Sequence, residues 1–340
     1  MILAGGMSTR LYPLTKQVPK PLVPVAGIPN AVHLIAYLKQ YGCEEIAINV
    51  HYLADQITQR LGDGSQFGVR LTYLHEEVLL GSAGAVKQME AFLKDDDFVV
   101  VGCDDLTNLP LDQLVAFHAR NKAIATIGLV ERDEVDQYGV VVTDPGGRIT
   151  EFQEKPARGT ERSKLANTGI YAFTPQIFDH IPADTFYDFG KNVFAELQQT
   201  KAPFYGFDAR GAYWCDIGTI PEYRRATADV VEGRFTLPDD SGPAIHPSAK
   251  IAATVVIEGP VIVRAGAVVE DFAVLVGPCA IDAGVRIGAG AHIERSILWE
   301  GAAIGARADL KNVIAGARYA VASEEVLRDT VVANDEPASQ

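Results

Sequence analysis

The sequence predicts two architectures in succession: an α/β domain with a mostly parallel mixed sheet, then a solenoid built from hexapeptides. Up to about residue 230, β-type runs alternate with helix-type patterns, as expected when helices cover a largely parallel sheet. Farther on, Ile245, Ile251, Ile257, Val263, Val269, Leu275, Ile281, Ile287 and Ile293 recur every six residues. That period fits neither a helix nor a single strand, but it suits a coil with three flat faces. Between the two, Glu232–Pro243 is rich in glycine, proline and aspartate and reads as a linker. The predicted division is therefore 1–231, a linker over 232–243, and a repeat domain over 244–333.

Composition narrows the function classes. The chain has 340 residues, 48% of them apolar and 22% charged, with a formal charge of −14. Length allows two cores, and the acidic balance argues against nucleic-acid binding, which needs clustered Lys and Arg. A phosphorylated small substrate stays open, because the local field decides there. Apolar runs such as Phe98–Val101 are too short to span a bilayer and no export pattern opens the chain, so a cytoplasmic location is expected. Cysteines 43, 103, 215 and 279 have no C-x-x-C or zinc spacing and read as reduced thiols.

The elements follow in order. Leu3-Ala4-Gly5-Gly6-Met7-Ser8-Thr9-Arg10 runs from an apolar strand into two glycines and small residues, then an arginine, with Lys20 ten residues on. Adjacent glycines permit positive φ and close ligand approach, and such a loop can turn its N–H groups inward around an anion. Arg10 would add a planar fork for phosphate and Lys20 a point charge. Neither G-x-x-x-x-G-K-[ST] nor G-x-G-x-x-G follows the first strand. Asn30–Gln40 reads as a helix with Val32, Ile35 and Leu38 near one face and Gly42 as its stop. Strands are expected at 45–50 and 69–74, helices at 54–61 and 82–93 with Ser82 as N-cap, and a buried strand at 98–101. Ligands in such sheets sit at strand carboxyl ends, where the Gly5 loop and Asp104 fall. In the repeats, Ala249, Val255, Val261, Ala267, Ala273, Cys279, Val285, Ala291 and Ile297 form a second ladder, and the pattern resumes one residue short at Ile304. His246 and His292 read as surface histidines, and Asn334–Gln340 as a frayed end.

LAGGMSTRLYPLT followed by PKPLVPV resembles the signature of the sugar-1-phosphate nucleotidylyltransferases, with Ser8 where that family usually has glycine and a shorter, weaker first strand. The resemblance extends through Cys103-Asp104-Asp105-Leu106-Thr107, Tyr138-Gly139-Val140, Glu154-Lys155-Pro156, Asn167-Thr168-Gly169-Ile170-Tyr171 and Trp214-Cys215-Asp216-Ile217-Gly218-Thr219. It implies a Rossmann-like nucleotidyltransferase domain followed by a left-handed parallel β-helix, an exception to right-handed crossovers.

What the resemblance implies about roles can be stated residue by residue. Leu3, Ala4, Gly5, Gly6, Ser8 and Thr9 would line the nucleotide. Arg10 and Lys20 would hold the NTP phosphates. Asp104 and Asp216 would be ligands of one Mg²⁺, an ion that takes one or two carboxylates and keeps water and phosphate oxygens; Asp105 is the fallback ligand. Lys155 would bind the sugar phosphate, while Gly139, Glu154 and Asn167 would bind hydroxyls. Asp188-Phe189-Gly190-Lys191 is similar to a D-F-G-K segment of the family and reads as structural. His75-Glu76-Glu77 through Gly84 is similar to the base loop of the mannose-1-phosphate guanylyltransferase branch, with Glu77, Gly81 and Ser82 toward the base. No glutamine lies between Gln66 and Gln88, whereas pyrimidine-nucleotide members tend to carry one there. The implied activity joins an NTP, GTP first, to a sugar 1-phosphate, mannose first, releasing pyrophosphate. Glucose-1-phosphate adenylyl-, uridylyl- or thymidylyltransfer and a non-catalytic nucleotide-sugar sensor are the alternatives. The repeat domain is expected to build a homo-oligomer.

Overall fold

Apolar, β-branched runs place four parallel strands side by side at the centre of the computed structural model, which describes residues 1–238 and 242–334. Ile2–Leu3 pairs in parallel with Glu45–Val50 on one side and Phe98–Gly102 on the other, and Glu45–Val50 pairs in parallel with Arg70–His75. The inner strands are mostly buried and need no polar alternation, whereas Arg70–His75, at the sheet edge, is polar and half-buried. The first strand is only two residues long, yet it is paired on both sides. Past Phe98–Gly102 the nine-stranded sheet turns antiparallel, except that Phe204–Asp208 lies parallel to Ala125–Glu131. Leu165–Phe173 pairs with Phe98–Gly102, Ala125–Glu131 and Gly139–Thr143, and Ile149–Glu154 closes that edge.

By contact density the chain forms two units: Met1–Gly6 with Leu34–Asp216, and Met7–His33 with Ile217–Gln340. The first unit buries Val100, Ile127, Phe173, Phe189 and Phe194 in one core, with the Phe173 and Phe189 rings stacked at 4.9 Å. The helix expected over 82–93 is instead Gly81–Gln88 and Glu90–Leu93, interrupted at Met89.

The second unit contains three five-stranded parallel sheets, consistent with a left-handed β-helix. Lys250 pairs with Val268 and Val268 with Arg286, a step of three hexapeptides, whereas Arg286 pairs with Ala303, one residue sooner. The six-residue ladder and the shortening before Ile304 are both in the register, and the shortening recurs in the later coils, where Ala303 pairs with Ala320 and Ile314 with Val331, seventeen residues on. Ser296 lies at the shortened corner, where its buried hydroxyl donates to the Glu294 carbonyl and accepts from the Val313 N–H. Small and aliphatic residues fill the coil interior, from Val263 through Leu310. Part of the expected linker is packed, with Phe235 and Leu237 buried. Residues 239–241 of that linker, and the expected frayed end beyond Asn334, lie outside the described residues.

Candidate active site

Because the four central strands are parallel, their carboxyl ends share one edge of the sheet, and the candidate residues of the first unit gather there. The Ala4 N–H donates to Asn49 Oδ1 (2.9 Å), and Asn49 Nδ2 donates to Glu76 Oε2 (2.6 Å). The Leu80 N–H donates to the other Glu76 oxygen. The loops after the first strand and after Arg70–His75 are thereby tied, through Asn49 of the strand between them, to one buried carboxylate. Gly5 is required by room: a Cβ there would stand 2.7 Å from Glu76 Oε2 and 2.9 Å from Asn49 Nδ2. Neither Gly5 nor Gly6 adopts positive φ; that conformation falls on Ser8, at φ 54°. The expected glycine freedom is therefore displaced to the position where a serine bears the strain, roughly 1–2 kcal/mol for an L-residue.

The base loop differs in detail from expectation. Glu76 is buried, and Glu77, the residue singled out from the sequence, is exposed. Gly81 has φ 77°, and a Cβ on it would lie 2.5 Å from the Tyr187 carbonyl oxygen. That carbonyl accepts from the Ala83 and Gly84 N–H groups, so these glycines permit packing of the 185–187 segment. Leu80 precedes the helix in place of Ser82. The Ser82 hydroxyl donates to Asp188 Oδ2 and accepts from the Phe189 N–H, because Tyr187 has taken the first free helix donors.

Asp104 and Asp216 flank a third carboxylate. Asp216 is in register with Asp105 across the two-stranded pair Asp105–Thr107 and Trp214–Asp216. Asp105 is buried, accepting from Trp214 Nε1 and the Gly102 N–H, both at 2.9 Å. Burial pushes its pKa well above the carboxylate range, with Asp104 and Asp216 pushing the same way. With an oxygen committed to each donor, Asp105 fits a brace better than the fallback ligand expected of it. Its neighbours Asp104 and Asp216 are only partly buried. Oxygen donors without histidine or thiolate are the chemistry magnesium prefers. No group of three or more metal-binding side chains occurs among the described residues.

The remaining first-unit residues converge as well. Glu154 is in register with Gly139. A Cβ at Gly139 would press on the Phe152 ring and the Asn167 Cβ, and one at Gly190 would lie 2.5 Å from Glu154 Oε2. The D-F-G-K segment is therefore packed against Glu154. Burial raises the Glu154 pKa, and Lys155 opposes that rise. Lys155 is exposed and holds positive φ, 45°, a strained setting typical of functional positions. Asn167 accepts from the Gly169 N–H and donates to the Tyr171 hydroxyl, and Gly169 stands against Asp105. The N-x-G turn thus links Gly139 and Glu154 to the aspartates.

Ser8, Thr9, Arg10 and Lys20 belong to the second unit. Thr9 and Arg10 are exposed on a 3₁₀ turn that buries Leu11, and half-buried Lys20 opens another with Pro21 and Leu22. The Thr15 hydroxyl donates to the Ser8 carbonyl and fixes the loop. The following hairpin, Pro24–Val25 with Ile28–Pro29, is anchored by the Tyr223 hydroxyl donating to the Pro24 carbonyl. Trp299 Nε1 donates in turn to that hydroxyl at 2.7 Å. Sequence reasoning missed Asn49, gave Glu76 no role of its own, and took Asp105 for a fallback ligand. A polar residue inside the otherwise apolar run Ile46–Val50 was the available signal for Asn49.

Residues 1–233 match the family described as nucleotidyl transferase. A UTP–glucose-1-phosphate uridylyltransferase of Synechocystis sp. is 36% identical over 94% of this chain and 88% of its own length. A mannose-1-phosphate guanylyltransferase of Mycobacterium tuberculosis is 33% identical over 88% of this chain and 79% of its own. Among solved structures, a putative glucose-1-phosphate thymidylyltransferase of Bacillus anthracis, in complex with a sucrose, has a TM-score of 0.61 at 28% identity. It covers 67% of this chain and 92% of that one.

Proposed function

The chain belongs to the sugar-1-phosphate nucleotidyltransferases, and from that premise we propose that its substrates are GTP and mannose 1-phosphate. The guanine reading is supported by the His75–Gly84 loop, which is similar to that of guanylyltransferases and lacks a glutamine. Relatives named mannose-1-phosphate guanylyltransferase add to it. A second reading, UTP with glucose 1-phosphate, is favoured by the uridylyltransferase relative that spans 94% of the chain.

The catalytic reading rests on one observation above the others: Asp216 is in register with Asp105, beside Asp104, with the N-x-G turn against the same carboxylate. A sugar phosphate oxygen, already ionised at neutral pH, attacks the α-phosphorus in line. The bond to the bridging oxygen breaks and pyrophosphate leaves, so no general base is needed. The work is positioning and charge neutralisation. Arg10 and Lys20 hold the nucleotide phosphates and the leaving group, and Lys155 steadies the attacking phosphate. Glu154, Asn167 and the Gly139 backbone orient the sugar. Asp104 and Asp216 would hold Mg²⁺, which when bound supplies charge neutralisation at the phosphates. The Gly5 loop, braced by Asn49 and Glu76, keeps a backbone surface open to the nucleotide.

The repeat domain assembles copies of the chain in this reading. Val256, Ile257 and Phe272 are large apolar side chains exposed on its coils, the kind of surface that marks association. A cytoplasmic setting suits the nucleotide substrates, and no described helix is long and apolar enough to cross a membrane. The deciding experiment is pyrophosphate release over a panel of four NTPs and several sugar 1-phosphates. GTP with mannose 1-phosphate should give the highest kcat/KM. A preference for UTP with glucose 1-phosphate would replace the substrate assignment, and no turnover with any pair would remove the catalytic reading.

A further inference from the structure

Four arginines line one cavity of about 350 Å³ between the helix Ile220–Val231 and the β-helix: Arg224, Arg225, Arg234 and Arg295, with Asn312 beside them. On a chain of net charge −14 such a gathering of guanidinium groups needs an account. Two of them have carboxylate partners. Arg225 pairs with Glu222 and Asp229, and Arg234 with Asp229 and Glu232. The other two differ. Arg224 donates to two uncharged oxygens, Asn312 Oδ1 at 2.9 Å and the Thr330 carbonyl at 3.0 Å. Asp329, whose carboxylate accepts from Asn312 Nδ2, offsets its charge from nearby. Arg295 makes no ion pair and no side-chain hydrogen bond among the described residues.

We propose that this cavity is a binding site for a small phosphoryl anion, either inorganic pyrophosphate or a phosphate ester. None of the residues assigned to the nucleotide, the sugar or the metal lines it. A guanidinium is a planar, permanently charged fork matched to phosphate oxygens. Arg224, half committed to neutral acceptors, and Arg295, uncommitted, supply the donors. The carboxylates of Glu222, Asp229 and Glu232 are already engaged by the other two arginines and so repel an entering anion less. The volume lies within the range of small-molecule sites. Concavity matters too, because clustered charge in a cleft can overcome an unfavourable net field. A nucleotidyltransferase makes one such anion and works among others, so the site would report their level to the second unit. The inference depends on the family's reaction, not on which base or sugar is used.

Isothermal titration of the full-length protein tests it, with inorganic pyrophosphate as one probe and glycerol 3-phosphate as the other. The first is also a reaction product and should fill two sites; the second, a non-substrate ester, should fill one. In Arg295→Gln, whose guanidinium has no partner among the described residues, the cavity affinity should fall about tenfold or more, the usual weight of one charge-assisted contact. The product site and kcat should stay unchanged. The double variant Arg224→Gln with Arg295→Gln should lose the site while circular dichroism verifies the fold. Loss for pyrophosphate alone, or for the ester alone, identifies the natural source. A single pyrophosphate site unaffected by Arg295→Gln, together with no ester binding, would overturn the proposal even if catalysis is normal.

Discussion

Asp282 lies 3% exposed in the β-helix, and its Oδ1 has no hydrogen-bond partner among the described residues. Burial pushes its pKa up to about 8; Arg264 opposes the rise and Glu300 adds to it. The Arg264 and Asp282 side chains both press on the turn at Gly27, where a Cβ would lie 2.7 Å from Arg264 Cγ and 3.1 Å from Asp282 Oδ1. Unfolding returns this carboxylate to its ordinary value of 3.8, so the folded state binds the proton more tightly. The sign follows: the stabilisation is complete below about pH 4 and is lost as pH rises through about 8. An asparagine at this position would mimic the protonated acid at every pH. In D282N the stability relative to wild type should therefore grow by on the order of 4 kcal/mol between pH 5 and pH 9. Urea denaturation of both proteins at the two pH values measures this, and any constant cost of the amide cancels in the comparison. Parallel pH–stability curves would refute the reasoning, because they would mean that Asp282 is ionised in the folded protein at little cost.

Three further outcomes are expected. Asp105→Ala strands the Trp214 Nε1–H and the Gly102 N–H and should cost roughly 2–5 kcal/mol, read as a lower urea midpoint together with lost turnover. Gly81→Ala forces a Cβ at positive φ against the Tyr187 carbonyl, for a loss of about 2–4 kcal/mol; an unchanged melting temperature would show that the 185–187 segment gives way. Asp104→Asn keeps the side chain's shape and removes its charge, so kcat should fall by about 10²-fold or more with thermal stability within a degree or two of wild type. A near-normal rate would remove Asp104 from the reaction.

Much of this was legible because local rules governed it. The six-residue ladder and its shortening before Ile304 are one-dimensional properties, and the register reproduces both, while the same shortening in each later coil was not read from the sequence. The site segments were legible as motifs, since small residues, cations and carboxylates at set spacings survive in the linear text. Less legible was what each residue touches. Gly81 looked like a residue for a base and packs on Tyr187, Asp105 looked like a spare ligand and holds Trp214, and Glu76 lay hidden beside the more conspicuous Glu77. Such partners are far away in sequence, and propensity carries no information about them.

By itself, then, the chain determined the order of its architectures and the chemical inventory available for phosphate transfer, because periodicity and residue type act over a few neighbours. Only the tertiary structure decided which carboxylates stay accessible and which serve as braces. It also grouped the Met7–His33 segment with the repeat domain and left Arg295 without a partner among the described residues. Those outcomes depend on burial and on contacts between distant segments, and desolvation has a value only once the surrounding atoms are in place.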